Sequence, residues 1–358
     1  LKTVRIIDLY AGIGGLRLGF QQAFGEQAKF VFENEINESA CKTYEANFGV
    51  NPHGDITKID PKEIPDFDIM LAGFPCQAFS IAGFRRGFDD IRGTHFFHIA
   101  EIIREKKPAA FLLENVKHFK SHDKGRTYST VERMLKDELG YTFYSHIINA
   151  KDFGVPQNRE RVFMVGFRDP INFEFSKPQT KEITVGNILE ENVDGEYFLT
   201  QKYLDGLKNH RLRHESKGNG FGFIILKRNQ IANTLVLGGM GLERNLIVDK
   251  KSLKKCKRVD ANDEAVRRLT PRECFRLQGF PDDFKIPVAR TRAYSLIANS
   301  VAVPVITELA LAIKKSLTEK KTISCSIDDF KLESARGVYR KVFIFTAMAH
   351  VVNDKSTK

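Results

Sequence analysis

VRIIDLYAGIGGLRLGF, Val4 to Phe20, joins an apolar run, a glycine turn and a second apolar run without a break. The first part, short and rich in β-branched residues, reads as a buried strand, and the continuation LRLGFQQAF reads as a helix. Between them, Gly12, Gly14 and Gly15 let the backbone approach a ligand closely, and the helix that follows offers free N–H groups. Their spacing is GxGG, not the GxGxxG of dinucleotide folds. A lone glycine turn also serves packing, so a second feature is needed. Glu35, at the end of the strand-like KFVFENE, is that feature: a carboxylate there can accept both hydroxyls of a ribose. The pair points to a nucleoside-bearing cofactor; the plainer reading of Glu35 is a solvated helix N-cap.

Outward from this stretch the pattern repeats. SACKTYEANF reads as a helix, DIMLAGF as a strand, the stretch around FFHIAEIIREKK as a helix and AFLLEN as a strand. Such alternation predicts an α/β fold, a mostly parallel sheet with helices on both faces. TFYSHIINA and RVFMVGF flank the turn segment KDFGVPQNRE and read as an antiparallel pair closing that sheet. From about residue 171 the strands shorten and break at Gly, Asn and charged positions, as in KGNGFGFIILKRNQIANTLVLGGMGLERNLIVD, which predicts loops on a small β framework. Order returns with LTPRECFRLQGFPDDF and the helical LIANSVAVPVITELALAIKKSL. The expected organisation is a catalytic and cofactor-binding domain over 1–170, a smaller β-rich domain over 171–290, a helix over 291–325 that completes the first domain, and an extension over 326–358.

The 358 residues, 42% of them hydrophobic, suffice for a sizeable core. No run of 18 or more apolar residues occurs, and the opening LKTVRIIDLY lacks the layout of a secretory signal. The five cysteines form no CxxC or Cys/His pairing, so neither a disulfide scaffold nor a metal site is expected, and a reducing cytoplasm is. The net charge of +11 is concentrated: residues 202–258 hold fourteen Lys/Arg against four acids, a local charge of +10. A block of that size suits a polyanion such as nucleic acid, although a basic surface can also serve solubility.

Three further sites bear chemistry. Cys76 follows an apolar strand and a Phe-Pro turn, where open α/β sheets present ligands. A free cysteine is more often a small buried hydrophobe, but Pro75 stops the strand and puts this thiol in a loop. Glu114 ends the buried strand FLLENV and should reach the same crevice, where a carboxyl of raised pKa can donate a proton. Arg159 and Arg161, in QNRER, lie beside the sheet. A nucleophile, an acid and a cation thus converge on one pocket.

The ordered set DLYAGIGG, ENE, GDI, GFPCQAFS, LLENV, QNRER, LTPRECFRLQGFP and ANSV resembles the cytosine-5 DNA methyltransferases of bacterial restriction–modification systems, over about residues 4 to 315. The resemblance implies S-adenosylmethionine as cofactor, released as S-adenosylhomocysteine. Asp8, Tyr10, Ala11, Gly12, Gly14, Gly15 and Leu16 would wrap its methionine part, with Tyr10 where the family commonly has Phe. Glu35 would hold the ribose, Ile36 would pack on adenine and Asp55, with Ile56 beside it, would read the adenine amino group. Gly73, Pro75, Asn299, Ser300 and Val301 complete the expected cofactor set. Cys76 would be the nucleophile, Glu114 the acid near ring nitrogen 3 and Arg161 the donor to the cytosine carbonyl, with Arg159 in the same catalytic group.

A cytosine cannot be reached inside a duplex, so it must be flipped out. The glycine-bearing stretch from Gln77 through Ser80 to Gly93 suits a closing loop, and Arg85, Arg86 and Arg92 on it are candidates for phosphate contact. In the basic segment, Thr234 and Leu235 match the family's Thr-Leu pair. Arg228, Arg244 and Asn245 carry side chains able to pair with base edges. Double-stranded DNA is therefore the expected partner of a monomeric enzyme, with a co-encoded restriction endonuclease and no metal or membrane. A tRNA cytosine-5 methyltransferase shares the catalytic motifs but typically carries a Cys-Phe-Thr segment, which this sequence lacks. A silent nucleic-acid-binding homologue and a nucleotide-dependent oxidoreductase are the remaining readings. The intact Cys76, Glu114 and Arg161 disfavour the first, and the GxGG spacing disfavours the second.

Overall fold

The opening stretch forms a strand, β1 (Val4–Leu9), and a helix, α1 (Gly15–Phe24), joined by the glycine turn. The computed structural model of the chain describes residues 3–75, 95–177, 183–218, 222–236, 238, 240–255 and 260–334, those from 320 on by backbone alone. After α1 come β2 (Ala28–Asn34), α2 (Glu38–Phe48), β3 (Ile69–Gly73), α3 (His95–Lys106), β4 (Ala110–Val116), α4 (Arg126–Arg133), β5 (Thr142–Asn149), β6 (Gln157–Asn158) and β7 (Glu160–Phe167). The main sheet has six strands in the order β2-β1-β3-β4-β7-β5. β2, β1, β3 and β4 run parallel, and β7 is antiparallel to both of its neighbours.

Chain order turns back between β1 and β3, which leaves a crevice at the carboxyl ends of these strands. The expected antiparallel pair is present, with β7 inserted between β4 and β5. The six residues Val162–Phe167 of β7 are buried, whereas β5 is largely half-exposed, so the more apolar strand takes the inner place. One face of the sheet, carrying Ile7, Met70, Phe111 and Leu113, packs with Ile99, Ile102 and Ile103 of α3. Alternation turns Gly73 and Glu114 to the other face, where Leu16 of α1 lies.

The region after 171 holds α5 (Gln201–Glu215), β8 (Ile225–Leu226), β9 (Ala232–Asn233), β10 (Leu246–Val248), α6 (Lys250–Leu253), β11 (Val266–Arg267) and α7 (Pro271–Arg276). The β framework exists, as a β11-β10-β8 sheet and a β6–β9 pair, but its strands are two or three residues long and α5, at 15 residues, is the longest element there. Only Leu204 and Leu207 of α5 are buried, too few to give the sequence a clear apolar period. The helix is instead set by its cap, the Thr200 hydroxyl accepting from the Tyr203 N–H.

A fully buried ion triad pins this region. Arg267 donates through Nε to Asp249 (2.9 Å) and through Nη1 and Nη2 to both oxygens of Glu273 (2.8 and 2.7 Å). All three residues are at most 3% exposed. Removing the cation strands two carboxylates, so Arg267→Met should cost about 3–5 kcal/mol in urea unfolding. A loss below about 1 kcal/mol would show that those carboxylates find other partners.

α8 (Arg290–Asn299) and α9 (Val303–Ser334) end the described chain. Arg290–Glu319 is apolar enough, by length and composition, to pass for a membrane span. It is broken at Ser300, and its Ile297, Val303, Ile306, Leu309 and Ile313 are core residues. Contacts divide the chain into two units, Leu1–Ile313, which holds the sheet and the region after 171, and Lys314–Lys358.

Candidate active site

A cavity of about 480 Å³ opens at the carboxyl ends of β1, β2, β3 and β4. Tyr10, Ala11, Gly12, Gly15 and Leu16 line it from the first turn, Glu35 and Ile36 from the end of β2, and Asp55 and Ile56 from the loop beyond α2. Gly73, Pro75, Glu114 and Arg161 line the opposite wall, and Asn299, Ser300 and Val301 close it from the turn between α8 and α9. Residues separated by up to 291 positions thus meet around one space.

The three glycines of the turn do different things. Gly12 has φ +55° and nothing within 4 Å of the place a Cβ would take, so its backbone is the part laid open to the cavity. At Gly14, φ +85°, a Cβ would sit 2.2 Å from the Phe48 ring; at Gly15 it would sit 2.8 Å from Ser300 Oγ and Val301. Those two glycines let α1 pack against α2 and the last turn. Between them and β1, Tyr10 also has a positive φ of 54°, held by its hydroxyl donating to the His95 carbonyl (3.1 Å).

Glu35 is not the helix cap; Asn37 is, accepting from the Ala40 N–H. Glu35 Oε2 accepts from the Gly12 N–H and Oε1 from the Asn37 N–H, both at 2.8 Å, which locks the glycine turn to the end of β2. Each oxygen keeps a lone pair for a hydroxyl. Next to it Ile36 is 64% exposed, an apolar side chain set out on the cavity wall. Asp55 accepts from the Thr57 N–H and hydroxyl, and these bonds hold its carboxyl below the usual range, as a carboxylate. An open glycine backbone, a diol acceptor, an exposed aliphatic face and a second carboxylate fit the sugar and base of a nucleoside.

At the other wall Glu114 and Arg161 share one face of the β4–β7 ladder, since Val116 lies opposite Arg161 and Glu114 opposite Phe163. Arg161 Nε lies 3.1 Å from Glu114 Oε1, and both side chains are nearly buried. Burial pushes the Glu114 carboxyl up, and the charges of Arg161 and then Arg159 pull it part of the way back. The net effect leaves the carboxyl above its ordinary range beside a cation. Asn115 donates to the Phe74 carbonyl (2.9 Å) and so ties the end of β4 to the Phe-Pro turn before Cys76. Cys76, Gln77, Ser80, Arg85, Arg86 and Arg92 lie outside the described residues.

The family model for C-5 cytosine-specific DNA methylases matches residues 4–315. The chain belongs to this family. It is accordingly a DNA (cytosine-5-)-methyltransferase. Among curated relatives it is 52% identical to the Type II methyltransferase M.HpaII of Haemophilus parainfluenzae, over 84% of this chain and 86% of that one. It is 47% identical to the Type II methyltransferase M1.ScrFI of Lactococcus lactis subsp. cremoris, over 88% and 79%. Among solved structures, the Entamoeba histolytica methyltransferase EhMeth has the same fold, with a TM-score of 0.70 and 22% identity over 88% of this chain and 99% of that one.

Several residues of this methylase sit elsewhere than expected. Asp8 is fully buried behind the turn, bonded by the Tyr44 hydroxyl at 3.4 Å, and neither it nor Gly14 lines the cavity. Burial raises the Asp8 carboxyl well above its ordinary range. Arg159, 2% exposed, does not line the cavity either: its two terminal nitrogens donate to backbone carbonyls. Thr234 donates to the Asn158 carbonyl (2.6 Å), and Leu235 is buried. Asn245 is 1% exposed, with its amide oxygen accepting from the Asn233 N–H and its nitrogen donating to the Asn233 carbonyl, so it has no group free for a base edge. Arg228 and Arg244 are exposed. Asn115 and His95 also line the cavity, and neither is among the site residues expected from the sequence, where Asn115 stands only as the neighbour of Glu114.

Proposed function

We propose that Cys76 adds to carbon 6 of a cytosine flipped out of duplex DNA, and that S-adenosylmethionine is held in the cavity for methyl transfer to carbon 5. The observation that carries this reading is the Glu114–Arg161 pair on the cavity wall, joined through Asn115 to the turn that leads into Cys76. Glu35 would take the ribose, Ile36 the adenine face, Asp55 the adenine amino group and Gly12 the methionine part. When bound, the cofactor supplies an electrophilic methyl group.

Carbon 5 of cytosine is a weak nucleophile. Bond formation from the Cys76 sulfur to carbon 6 pushes electrons toward ring nitrogen 3, where Glu114 delivers its proton, and Arg161 donates to the ring carbonyl. The ring then has enamine character at carbon 5. After methylation, a base takes the proton from carbon 5, the carbon–sulfur bond breaks, and nitrogen 3 returns its proton to Glu114. Extruding the base costs a few kcal/mol.

The relatives named Type II methyltransferases support a role in restriction–modification, with this chain marking a short cytosine-containing site as a monomer and a separate nuclease reading the mark. The test incubates the protein and S-adenosylmethionine with duplex DNA containing 5-fluorocytosine, whose ring has no removable proton at carbon 5. A covalent adduct mapped to Cys76 is expected. A duplex that binds without forming an adduct, or methyl transfer to tRNA and none to DNA, would overturn the reading.

A further inference from the structure

We infer that His95 is a further cofactor-binding residue: its Nε2 accepts a hydrogen bond from the adenine amino group that Asp55 also reads, and Tyr10 fixes the tautomer that leaves Nε2 able to accept. This rests on the function proposed above, which places adenine beside Asp55. His95 opens α3, half-buried, and lines the cavity together with Tyr10, Asp55 and Ile56. The turn Ile56–Lys58, capped by Asp55, packs against α3, so the histidine and the carboxylate flank the same end of the space.

The hydrogens around Tyr10 decide which ring nitrogen can accept. The Tyr10 hydroxyl lies 3.1 Å from the His95 carbonyl and 3.2 Å from His95 Nδ1. A carbonyl oxygen has no hydrogen of its own, so the one hydroxyl hydrogen must lie on that contact. The contact with Nδ1 then takes its hydrogen from the ring: Nδ1–H donates to the hydroxyl oxygen, and the neutral imidazole keeps its lone pair at Nε2. Burial and then the Asp55 charge push the Tyr10 hydroxyl far up, so it stays protonated in this role. The two rings meet edge to face, 5.4 Å apart at 85°, which fixes the plane of the imidazole. Asp55, as a carboxylate, only accepts, and so does Nε2 in this tautomer. An amino group offers two N–H donors and suits that pair of acceptors, whereas an oxygen in its place would meet two lone pairs.

The experiment measures binding of S-adenosylhomocysteine by calorimetry at about pH 8, where imidazole is neutral. An analogue with hydrogen in place of the adenine amino group is measured beside it. Wild type, His95→Leu and Tyr10→Phe are compared, with melting temperature as a control. Wild type should favour the amino compound by about tenfold or more. His95→Leu should weaken that compound about three- to tenfold, the worth of one neutral hydrogen bond, and leave the affinity for the analogue as it was. Tyr10→Phe, which keeps the ring and frees the tautomer, should lose about two- to fivefold on the amino compound alone. A residue that only packs, or only steadies the turn, would lower both affinities together. Equal weakening of the two ligands by His95→Leu, or none of either, overturns the inference. If that variant fails to fold, Tyr10→Phe with an undiminished preference for the amino compound overturns it, as does a wild type with no preference. A wild type that forms no 5-fluorocytosine adduct counts against the function reading instead.

Discussion

Glu114→Gln is expected to slow methyl transfer by about 10²–10⁴, measured as single-turnover rate on duplex DNA. Glutamine keeps the shape of the side chain and an N–H donor for ring nitrogen 3, but it has no proton to give up. The loss therefore falls on kcat, with DNA affinity little changed. The same substitution separates two pH effects. Burial raises the Glu114 carboxyl, so the protonated acid persists above the ordinary carboxylate range and is lost as pH rises through its shifted value. The Cys76 thiolate, by contrast, gains with pH. The wild-type rate should rise and then fall with pH, and Glu114→Gln should retain only the rising limb. A falling limb that survives in Glu114→Gln would assign it to another group.

Cys76→Ser is expected to reduce methyl transfer to background while duplex DNA and S-adenosylhomocysteine still bind. A serine hydroxyl is scarcely ionised at neutral pH, so it cannot add to carbon 6 at a useful rate. Gel shift, calorimetry and incorporation of labelled methyl groups together read the two halves of this statement. Labelled DNA from Cys76→Ser at the wild-type rate would remove covalent catalysis from the account. The contrast with Glu114→Gln matters: the serine variant should also give no adduct with 5-fluorocytosine DNA, whereas the glutamine variant should give one slowly.

Much of this site could be read before any fold was known. The strand–turn–helix of Val4–Phe20 and the strand-end positions of Glu35 and Glu114 follow from local apolar runs and the residues that stop them. Arg159 and Arg161 were another matter. Both were expected in the catalytic group, with Arg161 as the donor, but the chain leaves the strand at Arg159, and one guanidinium lies in the interior while the other lines the cavity. Asn245 looked like a base reader because an amide serves a base edge and a backbone equally well; its neighbour Asn233 took both of its groups. The triad of Asp249, Arg267 and Glu273 left no local trace, since its members come from three separate segments.

Periodicity and turn chemistry act over a few residues, and they were enough to dictate a mostly parallel α/β sheet with a crevice at the first glycine turn. Partners 139 positions apart, such as Arg159 and Ala298, are chosen only when the sheet, the β6–β9 pair and the α8 turn have packed together. A buried charge or amide binds whichever backbone groups that packing brings within reach. The chemistry of the site was therefore a property of short motifs, while the division of labour among its arginines, glycines and amides belonged to the assembled protein.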